Sequence, residues 1–250
     1  MLEKYIFIAN QLKQKALFVI VTLGCFLLFH SCGDKNVETP AKEYGIVTDI
    51  DGHVYTTVLI GEQWWMTENL KVTKFRNGTL IPQRQQESDW INTTSAYCLY
   101  SNSSNAPGLL YNFYAVNDTN KIAPAGWHIP TDAEWAQLEL FLGMTQEDAD
   151  NVNWRGTNEA DKLKIESPLG WTVSGNIWST NESGFTASAG SCRLFNGVWG
   201  DPGIKATGFW WSSTGHPEGA WYRYLDYKKS SIFRYYASAN YGFSIRCVKD

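Results

Sequence analysis

The most regular pattern of apolar and polar positions lies within residues 126–143, whose sequence is GWHIPTDAEWAQLELFLG. Three apolar side chains recur there at three- and four-residue steps, which places them on one helix face; they are Trp135, Leu138 and Leu142. Glu139 falls mostly on another face. Thr131 and Glu134 have the spacing of a capping box, in which each side chain accepts a hydrogen bond from the backbone N–H of the other residue. The pattern predicts a helix that begins after Thr131 and ends at the glycine that closes the segment.

The second half of the chain contains short runs of β-branched and aromatic residues separated by turn residues, a pattern typical of a meander of strands. The runs are residues 184–188, 208–213, 220–227, 232–237 and 241–248. Because side chains alternate across a strand, Trp221 and Arg223 share one face of the third run. Tyr222 and Tyr224 share the opposite face. A helix early and strands late predict an α+β fold.

An earlier pair of β-rich runs, residues 46–50 and 54–60, flanks Asp51-Gly52. An Asp-Gly pair between such runs predicts a tight hairpin turn. Asp49 and Asp51 also suggest a calcium loop. The third oxygen ligand and the downstream glutamate of an EF-hand are missing at the required spacing, so we prefer the turn.

The N-terminal 31 residues have the pattern of a targeting segment. Three lysines precede an apolar run at residues 16–29, which is short for a transmembrane helix. Cys32 follows, and the chain then becomes polar, as it does in bacterial lipoproteins whose first mature residue is a lipidated cysteine. We predict that residues 1–31 are a lipoprotein signal peptide and that Cys32 carries the lipid, such as palmitate. The alternative is an uncleaved N-terminal anchor; both place the folded part outside the cytoplasm.

Beyond the signal peptide we expect two regions. Residues 32–43 are mostly polar and lack periodicity, so we interpret them as a tether. Residues 44–250 form one domain, with long loops between residues 71 and 107 of the kind that commonly carries function. The mature protein is expected to be attached through its lipid to the outer membrane or cell surface.

The composition limits the possible partners. The chain has 250 residues, 44% of them apolar, which is enough for one sizeable core. Three of the 21 basic and one of the 25 acidic residues lie within residues 1–31, so the mature part is net acidic, with 18 basic and 24 acidic side chains. This balance argues against a nucleic-acid partner and against polybasic adhesion to membranes. Twelve Trp and thirteen Tyr indicate an indole-rich core, an aromatic binding surface, or both.

Seven motifs occur along the chain in the order and spacing of a known family. They are GEQWWMTENL, LLYNFYAV, PAGWHIPTDAEWAQL, TNESGF, FWWSST, AWYRYLDY and YGFSIRCV. Together they closely resemble the Fibrobacter succinogenes major paralogous domain, a family of secreted and lipoprotein modules. The resemblance covers about residues 44–250.

Two of these motifs also imply an architecture. WHIPTDAEW resembles the RLPTEAEW segment of the formylglycine-generating sulfatase-modifying family, and GFSIRCV resembles the GFR ending of that family. Those enzymes have a C-type-lectin-like fold. The resemblance therefore implies a twisted antiparallel sheet with one or two flanking helices and long surface loops.

The cysteines allow at most one disulfide, because lipidation of Cys32 leaves three thiols in an oxidising compartment. Many relatives carry a cysteine just before the PxGW segment, where this chain has Ala123. The disulfide pairing of those relatives therefore cannot be assigned directly to this chain. Our first expectation is a bridge between Cys98 and Cys247.

Cys192 invites an enzymatic interpretation, because SAGSCR corresponds loosely to the catalytic half of the sulfatase-modifying family. That chemistry holds copper with a pair of cysteines, and we find one cysteine in this region and no nucleophile–base set. The histidines lack metal-ligand spacing, and the calcium-binding triplets of sugar-binding C-type lectins are missing. We expect Cys192 to be structural, and we expect no catalytic residues, no metal site and no cofactor.

Aromatic residues late in the chain are the candidate ligand contacts, because stacked rings suit sugar rings and protein partners equally. We predict ligand binding by Trp199, Trp211, Trp221, Tyr222 and Tyr224. The alternative is that FWWSST and AWYRYL, which are shared across the family, maintain the fold. We expect a non-enzymatic cell-surface binding or adhesion module whose ligand is a glycan or a protein. The alternative function is an enzyme-like relative of the sulfatase-modifying family.

Overall fold

The computed structural model describes residues 41–91, 94–100, 107–166, 170–173, 175, 179–200 and 206–250. These residues fall within one unit, Ala41–Asp250. The predicted signal peptide, the lipidation site Cys32 and residues 32–40 of the predicted tether lie outside the described residues.

Short strands dominate the described part of the chain, with one longer helix. The strands are β1 (Tyr44–Thr48), β2 (Val54–Ile60), β3 (Gln63–Met66), β4 (Tyr97–Cys98), β5 (Leu110–Asn112), β6 (Trp127–His128), β7 (Asn153–Arg155), β8 (Thr207–His216), β9 (Gly219–Asp226), β10 (Ile232–Ala237), β11 (Gly242–Phe243) and β12 (Val248–Lys249). The helices are α1 (Glu87–Trp90), α2 (Phe113–Val116), α3 (Asp132–Phe141), α4 (Gln146–Asp150) and α5 (Glu159–Leu163). This content agrees with the predicted α+β class. None of these helices has the length and apolar character needed to cross a membrane.

The strands form three antiparallel sheets. The first has the order β1-β2-β3-β12-β6, the second β7-β10-β9-β8 and the third β11-β5-β4. An isolated parallel bridge between Trp210 and Ser244 connects β8 to the segment that follows β11. The last strand, β12, lies between β3 and β6, so Val248 pairs with both Trp65 and His128.

The turn between β1 and β2 is built around the Asp49 carboxylate. Its Oδ1 atom accepts hydrogen bonds from the backbone N–H groups of Asp51 and His53. Its Oδ2 atom accepts one from the Tyr55 hydroxyl at 2.6 Å. The β1–β2 pairing and these local bonds confirm the predicted hairpin turn.

Helix α3 follows the predicted pattern. The Thr131 hydroxyl accepts a hydrogen bond from the N–H of Glu134, whose carboxylate accepts one from the N–H of Thr131 at 2.7 Å, so the capping box is complete. Trp135 is 1% exposed and packs against Trp65 and Phe185, with ring centroids 5.0 and 5.7 Å apart. The other two apolar residues of the predicted stripe are also buried.

Glu139 departs from the prediction, because it is fully buried although it lies outside the apolar stripe. Its carboxylate accepts hydrogen bonds from the guanidinium groups of Arg155 at 2.8 Å and Arg223 at 2.6 Å. Arg223 and Arg234 both donate to the Asp132 carboxylate at 2.6 Å. Burial alone would raise the pKa of Asp132, but the two arginines hold it below its ordinary value. This ion network ties α3 to β7, β9 and β10.

The predicted strands agree with the structure to different degrees. Residues 208–213 and 220–227 correspond to β8 and β9, and residues 232–237 form β10. Residues 184–188 form no strand; Ala187 makes an isolated bridge to Lys164. The run 241–248 is interrupted, because its two ends pair in different sheets as β11 and β12.

Candidate functional site

One face of the sheet β7-β10-β9-β8 carries a continuous set of aromatic side chains. The strand register places Phe209 beside Tyr224, and Tyr222 beside Tyr235. Intervening residues point to the other side of the sheet, because side chains alternate along each strand. The aromatic residues that share this face are Trp154, Phe209, Trp211, Tyr222, Tyr224, Phe233 and Tyr235. We refer to them as the aromatic face.

A pocket of about 610 Å³ opens on the aromatic face. Its volume lies in the range of sites that hold small molecules, about 300–1,000 Å³. Side chains from β8, β9 and β10, from the β8–β9 turn and from the segment around β11 form its walls. The principal lining residues are Phe209, Glu218, Tyr222, Tyr235, Tyr241 and Phe243. We call this site the aromatic pocket.

Phe243 is the central ring of the aromatic pocket and is 2% exposed. Phe209 stacks on it with the ring centroids 5.2 Å apart and the planes 14° apart. The rings of Tyr222 and Tyr241 contact it at centroid distances of 4.9 and 5.5 Å. Because neighbouring rings fix one another, the walls are held in place by the protein itself.

The polar side-chain groups that line the aromatic pocket are tyrosine hydroxyls, the Ser238 hydroxyl and the Glu218 carboxylate. The hydroxyls of Tyr235 and Tyr236 are 3.4 Å apart. Glu218 lies in the exposed β8–β9 turn, where its backbone N–H donates to His216 Nδ1 at 3.2 Å. The hydrogen bond with Tyr235 raises the pKa of Tyr236 to about 12, and burial raises the pKa of Tyr222 above its ordinary value. Both phenols are therefore neutral at physiological pH.

Two of the predicted ligand-binding residues lie on the aromatic face and remain partly exposed. Tyr222 lines the aromatic pocket. Tyr224 lies one ring further along, where it stacks on Phe209 with centroids 4.6 Å apart and planes 7° apart. Its hydroxyl donates to Asp226 at 2.6 Å. Tyr222 is thus placed to contact a ligand, whereas Tyr224 supports the ring beside it.

Trp211 is wrongly predicted as a ligand contact. It points toward the aromatic face but is 0% exposed, because Phe113 and Phe243 cover it at centroid distances of 5.6 and 4.4 Å. Its indole N–H donates to the backbone oxygen of Tyr111 at 2.8 Å. Trp211 belongs to the core behind the pocket, as the fold-maintenance alternative expects for FWWSST.

The other two predicted contacts, Trp199 and Trp221, are not among the described residues that line the aromatic pocket. Trp221 lies on the opposite face of the sheet, where the Arg234 guanidinium is 3.9 Å from its ring centroid. Trp199 is 4.4 Å from the Arg193 guanidinium. Each of these indoles therefore contacts a cation of the protein itself.

Most of the residues that line the pocket are not predicted as ligand contacts from the sequence. Phe209, Tyr235, Tyr241 and Phe243 lie in predicted strands but were not selected as candidates. Tyr235 could have been found from the alternation of side chains along its strand, which directs Tyr235 and Arg234 to opposite faces. The same alternation places Tyr222 on the aromatic face. No local signal pointed to Phe243, since its role depends on the contact of β11 with β8.

The predicted disulfide between Cys98 and Cys247 is wrong, because both residues are buried free cysteines. Cys98 packs in a small cluster with Trp90 and Leu110, whereas Cys247 belongs to the main core cluster. Burial raises the pKa of Cys98 to about 12 and raises that of Cys247 above its ordinary value. Both thiols therefore remain protonated at neutral pH.

Cys192 lies in the wall of the aromatic pocket and is buried. Within the part of the chain that the structure describes, no group of three or more His, Cys, Asp or Glu side chains is arranged to hold a metal ion. A metal site for the predicted enzyme-like alternative would therefore have to be formed by Cys192 together with a thiol elsewhere in the core.

Comparison with known proteins identifies the family. The family model of the Fibrobacter succinogenes major domain matches residues 58–249. The chain belongs to this family. The Fibrobacter succinogenes major domain thus extends here from β2 into β12 and includes all the principal lining residues of the aromatic pocket. No curated protein and no solved structure matches the chain.

Proposed function

We infer that this protein is a non-catalytic binding or adhesion module of the cell surface and that its ligand occupies the aromatic pocket. The observation that carries this inference is a solvent-accessible cavity whose walls are tyrosine and phenylalanine rings. Tyrosine combines a large apolar ring with a polar hydroxyl and loses little side-chain entropy on binding, which is why it is common in recognition surfaces. A glycan or a protein segment is the expected ligand.

The main test is ligand capture by the full mature protein, using a glycan array and extracts of the native cell surface. Tyr235→Ala removes a wall of the aromatic pocket, and we expect it to abolish capture of whatever the wild type binds. Tyr44→Ala is the matched control, because Tyr44 is 57% exposed on β1 in another sheet. Equal capture by both variants contradicts the assignment of the pocket.

A lipid anchor at Cys32 is the proposed route to the cell surface. It rests on the apolar run that precedes Cys32 and on the polar tether that follows it. Such a tether would hold the domain away from the outer membrane while leaving it able to reach ligands.

Replacing Cys32 with alanine should release the protein from membranes, because the acyl chains that hold it there can no longer be attached. Fractionation of cells into membrane and soluble parts measures this release. Cys25→Ala, within the predicted signal peptide, is the control and should leave the protein in the membrane fraction. Incorporation of radiolabelled fatty acid into the Cys32→Ala variant contradicts the assignment.

A C-type-lectin-like architecture is part of the same proposal. The two segments that resemble the sulfatase-modifying family, WHIPTDAEW and GFSIRCV, meet in the structure. The first contains β6 and leads into α3, and the second ends at Val248, which pairs with His128 of β6. Antiparallel sheets, one principal helix and long connecting loops are compatible with that architecture.

The position of Cys192 in the pocket wall favours one second candidate, an enzyme-like relative that uses copper. Copper(I) is selected by soft thiolate ligands, so such a site needs a second thiolate beside Cys192. Either Cys98 or Cys247 would have to supply it, and burial disfavours deprotonation of both.

We therefore expect the mature protein to retain no stoichiometric copper after incubation with Cu(I) under reducing conditions and desalting. Metal analysis of the wild type and of Cys192→Ser should give the same low value. One-to-one copper that disappears in Cys192→Ser would establish the enzyme-like alternative.

A further inference from the structure

The aromatic pocket has an unusual balance of charge. Among its described lining residues, Glu218 is the one acidic side chain, and no Lys, Arg or His is present. The remaining side chains are aromatic rings, small residues, Leu194 and Cys192. A ligand in this pocket therefore meets one negative charge and no positive charge from the described lining.

Nearby arginines are turned away from the pocket. Arg234 precedes Tyr235, and Arg223 follows Tyr222, but strand alternation directs both guanidinium groups to the opposite face. There they are bound by the carboxylates of Asp132 and Glu139. The arginines of β9 and β10 thus place no cation on the aromatic side of the sheet. The Lys229 ammonium group lies there, 5.7 Å from the ring of Trp154, but Lys229 is not among the described residues that line the pocket.

The rings themselves attract positive charge. An aromatic ring has a negative face, and several faces that converge on one cavity form a cage suited to ammonium groups. Tyr222, Tyr235 and Tyr241 are partly exposed lining residues that can turn ring surface to the cavity. Phe243 lies behind them, in contact with Tyr222 and Tyr241 at centroid distances of 4.9 and 5.5 Å. The attraction for a cation comes from the ring faces and from the Glu218 carboxylate.

We propose that the aromatic pocket binds a quaternary ammonium group of the choline type. This inference rests on the proposed function of the pocket and specifies its ligand class. A trimethylammonium group offers no hydrogen-bond donors, so it can lie against the ring surfaces of the lining without leaving a donor unpaired. Glu218, in the exposed β8–β9 turn, adds an attraction for this positive charge that a neutral ligand of the same shape lacks.

Isothermal titration of the full mature protein with choline tests this proposal. The matched control ligand is 3,3-dimethylbutan-1-ol, which has the shape of choline but carries no charge. We expect the dissociation constant of choline to be lower by about tenfold, which corresponds to about 1.4 kcal/mol. Equal affinity for the two ligands, or no heat of binding with millimolar choline, overturns the proposal.

Two pairs of variants separate recognition from loss of fold. Tyr235→Phe keeps the ring face and should bind choline as the wild type does, whereas Tyr235→Leu keeps an apolar side chain and should lose most of the affinity. Glu218→Gln should weaken choline by about threefold at low salt without changing the affinity for the neutral alcohol. If Tyr235→Leu binds choline as tightly as Tyr235→Phe, the proposal fails.

Vesicles distinguish a lipid-borne from a soluble source of the ammonium group. Retention on phosphatidylcholine vesicles that is competed by free choline indicates a lipid source, and binding of free choline without retention indicates a soluble one; both support the proposed class. Retention on phosphatidylglycerol vesicles that choline does not compete would contradict it. If choline fails but Tyr235→Ala still abolishes capture from surface extracts, this inference falls and the proposed function stands.

Discussion

Replacing Trp135 with alanine is expected to lower the free energy of unfolding by about 3–5 kcal/mol, the usual cost of removing a buried tryptophan side chain. Trp135 is the main contact between α3 and the core. Its ring packs on Trp65 of β3 and on Phe185, and its indole N–H donates to the backbone oxygen of Trp211. The substitution therefore leaves a cavity where three segments distant in sequence meet.

Chemical denaturation followed by far-ultraviolet circular dichroism measures this loss. Phe141→Ala is the control, because Phe141 ends the same helix but is 63% exposed, and we expect it to cost less than about 1 kcal/mol. Glu134→Ala removes half of the capping box and should cost about 0.5–2 kcal/mol. A Trp135→Ala protein as stable as Phe141→Ala would contradict the assigned core position.

Replacing Glu139 with alanine is expected to destabilise the protein by about 3–5 kcal/mol, although the residue is polar. The carboxylate is fully buried and accepts hydrogen bonds from Arg155 and Arg223. Without it, Arg155 loses its carboxylate partner and two positive charges remain close together in the core. The loss arises from these uncompensated charges rather than from the contact itself.

Denaturation of Glu139→Ala beside Glu147→Ala provides the comparison. Glu147 is an exposed glutamate of α4, and its removal should change stability by less than about 0.5 kcal/mol. A second measurement combines Glu139→Leu with Arg155→Met, which removes both charges of one pair; this double variant should recover part of the stability lost in Glu139→Leu alone. Additive losses in the double variant would show that the ion pair contributes nothing.

Helix α3 could be predicted in detail because its signals are local. Thr131 and Glu134 are three residues apart, and the apolar stripe repeats within three turns, so no distant residue is needed to define the helix. Glu139 could not be placed in the same way. Its burial depends on Arg155 and on Arg223, 84 positions away in the sequence, and nothing near Glu139 indicates that these partners will converge on it.

In the pocket, strand alternation is enough to predict the direction of a side chain but not its exposure to solvent. Alternation placed Tyr222 on the correct face, but it assigns Trp211 to that same face without revealing that Trp211 is covered. The covering rings come from α2 and β11, and the hydrogen bond that fixes the indole reaches Tyr111, 100 positions away. The face toward which an aromatic side chain points thus follows from its own strand, whereas its exposure depends on residues that are distant in the sequence.

The position of β12 between β3 and β6 has a consequence for the order in which the protein can fold. Val248 pairs with Trp65, so the fourth strand of the five-stranded sheet is supplied by a segment made about 180 residues after β3. Until Val248 has left the ribosome, β6 has no neighbour in this sheet and the edge of β3 is unprotected. A chain that cannot close its sheet early leaves the edge of β3 exposed for longer, and an exposed strand edge is where chains pair with one another and aggregate.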